Sequence, residues 1–114
     1  GFGFNNIGYV YDLKTKKQIE GVRVLPIDVN GNGTIDKEED FYGSIEKLVE
    51  AIADGRYPSP PARELFFVTK GKVSNPISKE FLKWVLTDGQ KYVLESGFVN
   101  LSKDRIKEQI QKIQ

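Results

Sequence analysis

Residues 28–39 (DVNGNGTIDKEE) place oxygen-bearing groups at a spacing that few folds require. Side-chain oxygens stand at the first, third, fifth, ninth and twelfth positions of this segment, and a glycine, Gly33, stands at the sixth. Glycine lacks a Cβ and adopts positive φ at low cost, so Gly33 permits a sharp turn. The segment is therefore predicted to curl on itself with most of its oxygens facing one point.

Oxygen donors on alternate residues of a curled loop are the ligand set of a calcium ion, which takes six to eight oxygens. The spacing is that of an EF-hand calcium loop, with Ile35 predicted to point inward as the apolar anchor. Six residues are predicted as ligands: side chains of Asp28, Asn30 and Asn32, the Thr34 carbonyl, Asp36 through a water molecule, and both oxygens of Glu39. The alternative is an Asn/Gly-rich turn that binds no metal.

The flanks of the loop differ from those of a paired EF-hand. Residues 22–27 are rich in β-branched side chains and contain Pro26, which predicts a strand before the loop instead of a helix. No second loop of the same spacing occurs in the sequence. A fixed structural ion is therefore expected, and a signalling switch is not.

Composition limits the classes of function. The chain of 114 residues carries 17 basic and 16 acidic residues, a net charge of +1 that gives no electrostatic reason to expect a nucleic-acid partner. Histidine and cysteine are absent, which removes the commonest general base and the thiol nucleophile. The prediction is a binding protein and not an enzyme.

Periodicity predicts a mixed α/β arrangement. Residues 7–11 and 18–27 are predicted to form a β-hairpin around a polar turn, and residues 64–69 a buried strand. Helices are predicted to begin after Ser44, at Pro76 and after Ser102. The chain then divides into a hairpin, loop and helix (1–55), a proline-rich connector (56–63), and a strand with C-terminal helices (64–114).

The order of five short motifs resembles the C-terminal part of the phosphate-type periplasmic solute-binding proteins of ABC transporters. The motifs are residues 7–11 (IGYVY), 53–58 (ADGRYP), 65–71 (LFFVTKG), 81–90 (FLKWVLTDGQ) and 96–101 (SGFVNL). The resemblance implies an α/β fold, namely the C-terminal portion of a two-lobed periplasmic-binding-protein fold. It spans nearly the whole chain but only about the last third of a family member, and the calcium loop is an insertion relative to the family pattern.

The resemblance also implies a role. The complete protein would be exported to the periplasm or cell surface, bind phosphate or a similar oxyanion such as sulfate or tungstate, and deliver it to an ABC permease. The phosphate-binding segments of the family precede residues 7–11, so no residue of this chain is assigned as a phosphate ligand. Residues that pack on the first lobe would then be exposed, which predicts that this piece forms a homodimer.

An alternative of another class is a calcium-stabilised cell-surface interaction module, similar in its loop chemistry to dockerins. Dockerins contain two such loops in tandem, and only one is present here.

Overall fold

The computed structural model describes residues 1–114, the whole chain. Its regular elements are three α-helices, α1 (Ile45–Ala53), α2 (Pro76–Leu86) and α3 (Lys103–Ile113), and two 3₁₀ helices, Ile7–Tyr9 and Asp88–Tyr92. The only β-pairing is an isolated antiparallel bridge between Tyr11 and Gln18. The fold is helical with long irregular segments.

The predicted α/β class, a portion of a two-lobed periplasmic-binding-protein fold, is therefore wrong for this chain. The first predicted strand begins as a 3₁₀ helix because the Asn6 side chain accepts a hydrogen bond from the Gly8 amide and caps that turn. The hairpin is reduced to the tight turn at Asp12, whose carboxylate accepts hydrogen bonds from the amides of Lys14 and Thr15.

The predicted strand at residues 64–69 is also absent. The segment is irregular, and its N–H and C=O groups make no backbone hydrogen bonds. Apolar and β-branched residues favour extended backbone, but a strand exists only when a neighbouring strand supplies the ladder. The neighbours of residues 64–69 are helices and not a strand: Phe67 packs edge-on against Phe81 of α2, and Glu64 pairs with Arg105 of α3.

All three helix starts predicted from sequence are confirmed. Ser44, Asn75 and Ser102 are the N-cap residues, and each side chain accepts a hydrogen bond from an amide in the first turn of its helix. Such a bond satisfies one of the N–H groups that have no partner at a helix start.

The hydrophobic core is small and lies in the N-terminal half. It consists of Tyr11, Phe41, Tyr42 and three residues of α1, Ile45, Leu48 and Ala51. The radius of gyration is 16.8 Å, larger than the roughly 13 Å of a compact domain of about this length. No residue of the C-terminal half contributes to this core.

The two halves touch where Gly8 meets Gly97. A Cβ on Gly97 would lie 2.9 Å from the Asn6 side-chain oxygen and 3.1 Å from the Gly8 Cα, and Gly97 has φ of +80°. Both the space and the backbone conformation therefore require glycine at residue 97. The predicted calcium loop, residues 28–39, lies in the chain between residues 22–27 and α1.

Candidate calcium site

Asp28 organises the first half of the loop. Its Oδ1 accepts hydrogen bonds from the amides of Gly31 at 2.7 Å and Asn32 at 3.2 Å, and its Oδ2 accepts one from the Gly33 amide at 2.7 Å. Gly33 has φ of +86°, as the predicted sharp turn requires. One carboxylate thus folds three successive amides inward.

Glu39 closes the loop from its other end. Its Oε1 accepts hydrogen bonds from the amides of Val29 at 2.9 Å and Asn30 at 3.1 Å, and its Oε2 accepts one from the Asp36 amide at 3.1 Å. Glu39 is the one charged residue of the chain that is buried, at 7% exposed. A buried carboxylate is tolerated when it is hydrogen-bonded, and three amides supply those bonds here.

Asp36 lies between these two carboxylates. Its Oδ2 accepts hydrogen bonds from the side-chain amides of Asn30 at 2.8 Å and Asn32 at 2.7 Å. These bonds, first from Asn30 and then from Asn32, hold the pKa of the Asp36 carboxyl below its ordinary value, with a smaller contribution from the Thr34 hydroxyl. Asp36 therefore stays ionised at a lower pH than an ordinary aspartate does.

The six predicted ligand residues are thus brought together in one hydrogen-bonded loop. The donor set contains three carboxylates, two amide side chains and a backbone carbonyl, which are hard oxygen ligands that suit Ca²⁺ better than Zn²⁺ or Cu²⁺. A half-turn of the Asn30 or Asn32 amide exchanges its nitrogen for its oxygen and presents that oxygen to the interior of the loop. The chemistry of the residues therefore fits calcium.

Carboxylates alone do not form the site. No three His, Cys, Asp or Glu side chains converge closely enough to hold a metal ion by themselves. The oxygens of Asp28, Asp36 and Glu39 point at N–H groups, so they would exchange these hydrogen bonds for the ion. A filled site would also need the Asn oxygens and the Thr34 carbonyl.

The prediction for Ile35 is wrong. Its side chain is 38% exposed and is not an inward anchor. An apolar side chain at this loop position needs a neighbouring surface to cover it, and the chain has no second loop to provide one.

Two residues, Tyr42 and Arg56, lie near the loop without any signal in the sequence that places them there. The Tyr42 hydroxyl accepts a hydrogen bond from the Ile27 amide at 3.1 Å, beside the first ligand. Arg56 lines a cleft with Asn30, Asp36 and Glu38. Both contacts join residues at least fifteen positions apart, so no local spacing in the sequence signals them.

Arg56 is already paired within the protein. Its guanidinium lies 2.7 Å from the Asp54 carboxylate and 5.6 Å from the centre of the Phe41 ring. The hydrogen bond to Asp54 raises the pKa of Arg56 further above its ordinary value. This pairing gives no reason to assign Arg56 as an anion ligand.

Comparison with known proteins adds no assignment: no family model, curated protein or solved structure matches the chain. None of its helices has the length and apolar character needed to cross a membrane.

Proposed function

We propose that residues 28–39 bind one calcium ion that holds the loop and the adjoining core in place. The observation that carries this proposal is that the carboxylates of Asp28, Asp36 and Glu39 each accept hydrogen bonds from N–H groups of the same loop. The oxygens that take these hydrogen bonds are those that the EF-hand spacing assigns to an ion.

Each residue has a definite task in this proposal. Asp28, Asn30 and Asn32 supply one side-chain oxygen each, Thr34 its carbonyl, Asp36 a contact through water, and Glu39 two oxygens. The burial of Glu39 excludes water from one side of the site. With one loop and one flanking helix the ion has a structural role, and affinity on the order of 10⁻⁶ to 10⁻³ M is expected.

Calorimetric titration with CaCl₂ tests the proposal. The wild type should show one saturable site, and Asp28→Ala should show none, because it removes a ligand and three hydrogen bonds at once. Asp104→Ala, which removes an exposed carboxylate on α3, is the matched control and should behave as wild type. Absence of binding by the wild type at millimolar calcium would refute the proposal.

For the longer protein we propose the role that the motif order implies: the C-terminal part of a phosphate-type solute-binding protein of an ABC transporter, exported to the periplasm or cell surface. The proposal concerns this role and not the α/β architecture, which the chain does not have. It is supported by the exposure of residues 65–68, at 70%, 74%, 67% and 90%. An apolar segment so exposed favours a covering surface outside this chain.

Calorimetry with inorganic phosphate separates the two parts of this role. The full-length protein should bind phosphate, and residues 1–114 alone should not, since the resemblance implies that the anion ligands precede residues 7–11. A saturable signal from residues 1–114 would contradict that location. No signal from the full-length protein with phosphate, sulfate or tungstate would refute the transport role.

A calcium-stabilised cell-surface interaction module remains the alternative. It is supported by the loop alone. A second loop of the same spacing in the full-length sequence would favour this module over the transport role.

A further inference from the structure

Tyr42 connects the two ends of the calcium loop from outside it. Its hydroxyl accepts the 3.1 Å hydrogen bond from the amide of Ile27, the residue directly before Asp28. Tyr42 itself follows Glu39 by three residues. The bond therefore joins the entry of the loop to its exit, and none of the six candidate ligands takes part in it.

Tyr42 is held firmly enough to act as a fixed point. It is 4% exposed, and its ring stacks on Phe41 with the ring centres 4.7 Å apart. Its carbonyl accepts hydrogen bonds from the Tyr11 hydroxyl at 2.8 Å and the Gln18 side-chain nitrogen at 2.9 Å. Gln18 in turn accepts a hydrogen bond from the Val24 amide at 3.1 Å, so the segment that enters the loop is tied to the same buried cluster.

The Glu39 side chain also links the two ends of the loop, but it does so through an oxygen that is itself a candidate calcium ligand. Glu39 accepts hydrogen bonds from the Val29 and Asn30 amides through the same oxygen that a cation would use. Binding an ion therefore competes with this link. The bond between Tyr42 and Ile27 uses no lone pair that an ion needs, so it persists when the site fills.

We propose that Tyr42 is a positioning residue for calcium, whose hydroxyl sets the separation of Asp28 and Glu39 before the ion arrives. A loop whose ends are already fixed loses less conformational entropy on binding, so it binds the ion more tightly. The inference rests on the proposed calcium function. It assigns part of the affinity to a residue outside the loop.

The test compares Tyr42→Phe with Tyr57→Phe. Both substitutions keep a ring of the same cluster, with ring centres 6.4 Å apart, but the Tyr57 hydroxyl makes no hydrogen bond to the protein. Without the Tyr42 hydroxyl, binding must also order the loop entry, at a cost comparable to fixing one residue, so the calcium dissociation constant of Tyr42→Phe should rise about fivefold in calorimetry. The dissociation constant of Tyr57→Phe should equal that of the wild type.

A second readout separates positioning from general stabilisation. With terbium(III) in place of calcium, luminescence lifetimes in H₂O and D₂O report how many water molecules the ion retains. Tyr42→Phe should retain more water than the wild type, because a displaced loop entry withdraws a ligand. A lower melting temperature of the metal-free variant with unchanged dissociation constant and unchanged hydration would overturn the inference.

The wild type alone provides a measurement that does not depend on the folding of a variant. The Ile27 amide should be protected from hydrogen exchange both without metal and with calcium, whereas rapid exchange in the metal-free protein would overturn the inference. If the wild type binds no calcium, the proposed function fails and the inference fails with it. If the wild type binds calcium and the three dissociation constants agree, only the inference fails.

Discussion

The two halves of the molecule use similar helices in different ways. Helix α1 buries Ile45, Leu48 and Ala51 in a core completed by aromatic residues from the preceding segments. Helix α3 also has an apolar face, formed by Ile106, Ile110 and Ile113, yet it contains no buried residue. Helix α3 packs against α2, which leaves these isoleucines half-buried. An amphipathic pattern thus defines which face of a helix is apolar, and the extent of burial of that face depends on the surfaces that surround it.

The largest difference between the halves should appear in core truncations. Ile45→Ala removes a side chain that is fully buried and should cost about 2 to 5 kcal/mol of unfolding free energy. Ile110→Ala, on half-buried α3, should cost about 1 kcal/mol or less, because less apolar area returns to water. Urea unfolding of both variants makes the comparison, and equal losses would show that the C-terminal half has a core of its own.

Calcium should stabilise the N-terminal half only, and so increase the difference in stability between the two halves. An ion that binds only the folded loop adds about 2.7 kcal/mol at a hundredfold excess over its dissociation constant. Hydrogen exchange should slow at the amides of α1 and remain unchanged at those of α3. EDTA should reverse the effect, and Asp28→Ala should abolish it; slower exchange at α3 alone would contradict a structural ion in the loop.

High pH should lower the stability of the N-terminal half by ionising Tyr11. Burial raises the pKa of Tyr11 to about 12, above the value of about 10 for an unfolded tyrosine. The neutral phenol donates to the Tyr42 carbonyl, so its full contribution is present below pH 10 and is lost as the pH rises through 12. Absorbance of tyrosinate should show a step near pH 12 that Tyr11→Phe lacks; its persistence in that variant would assign the step to another tyrosine.

The smallest expected effect is weak self-association of the exposed half. Residues 65–68 present apolar side chains to solvent. Covering them with a second copy of the chain contributes a favourable free energy of about 25 cal/mol per Å² of apolar surface buried. Sedimentation should show a mass that rises with concentration, and Phe66→Ser should reduce the rise. Gln111→Ser on α3 is the control, and a constant monomer mass at every concentration would contradict the predicted homodimer.

Local signals in the sequence correctly predicted the helix starts and the sharp turn at Gly33. Ser44, Asn75 and Ser102 form their capping hydrogen bonds within three residues, so neighbours in sequence are sufficient to specify them. The sharp turn at Gly33 and the inward amides of residues 31–33 follow in the same way from one carboxylate and one glycine. These contacts form within the loop itself, which is why their spacing could be recognised.

The predicted strands are wrong because the existence of a strand depends on its partners. Residues 64–69 have the composition of a buried strand, but composition does not supply the neighbouring strand that would complete the ladder. The same limit applies to the contact between Tyr42 and Ile27, which joins residues fifteen positions apart in the sequence.

The sequence by itself therefore determined the helix starts and the turn chemistry, since each depends on residues a few positions apart. The tertiary structure alone decided which apolar faces are covered, that Glu39 is buried, and that Tyr42 lies against the loop entry. Those outcomes depend on surfaces from distant parts of the chain, and packing between such surfaces has no signature in local spacing.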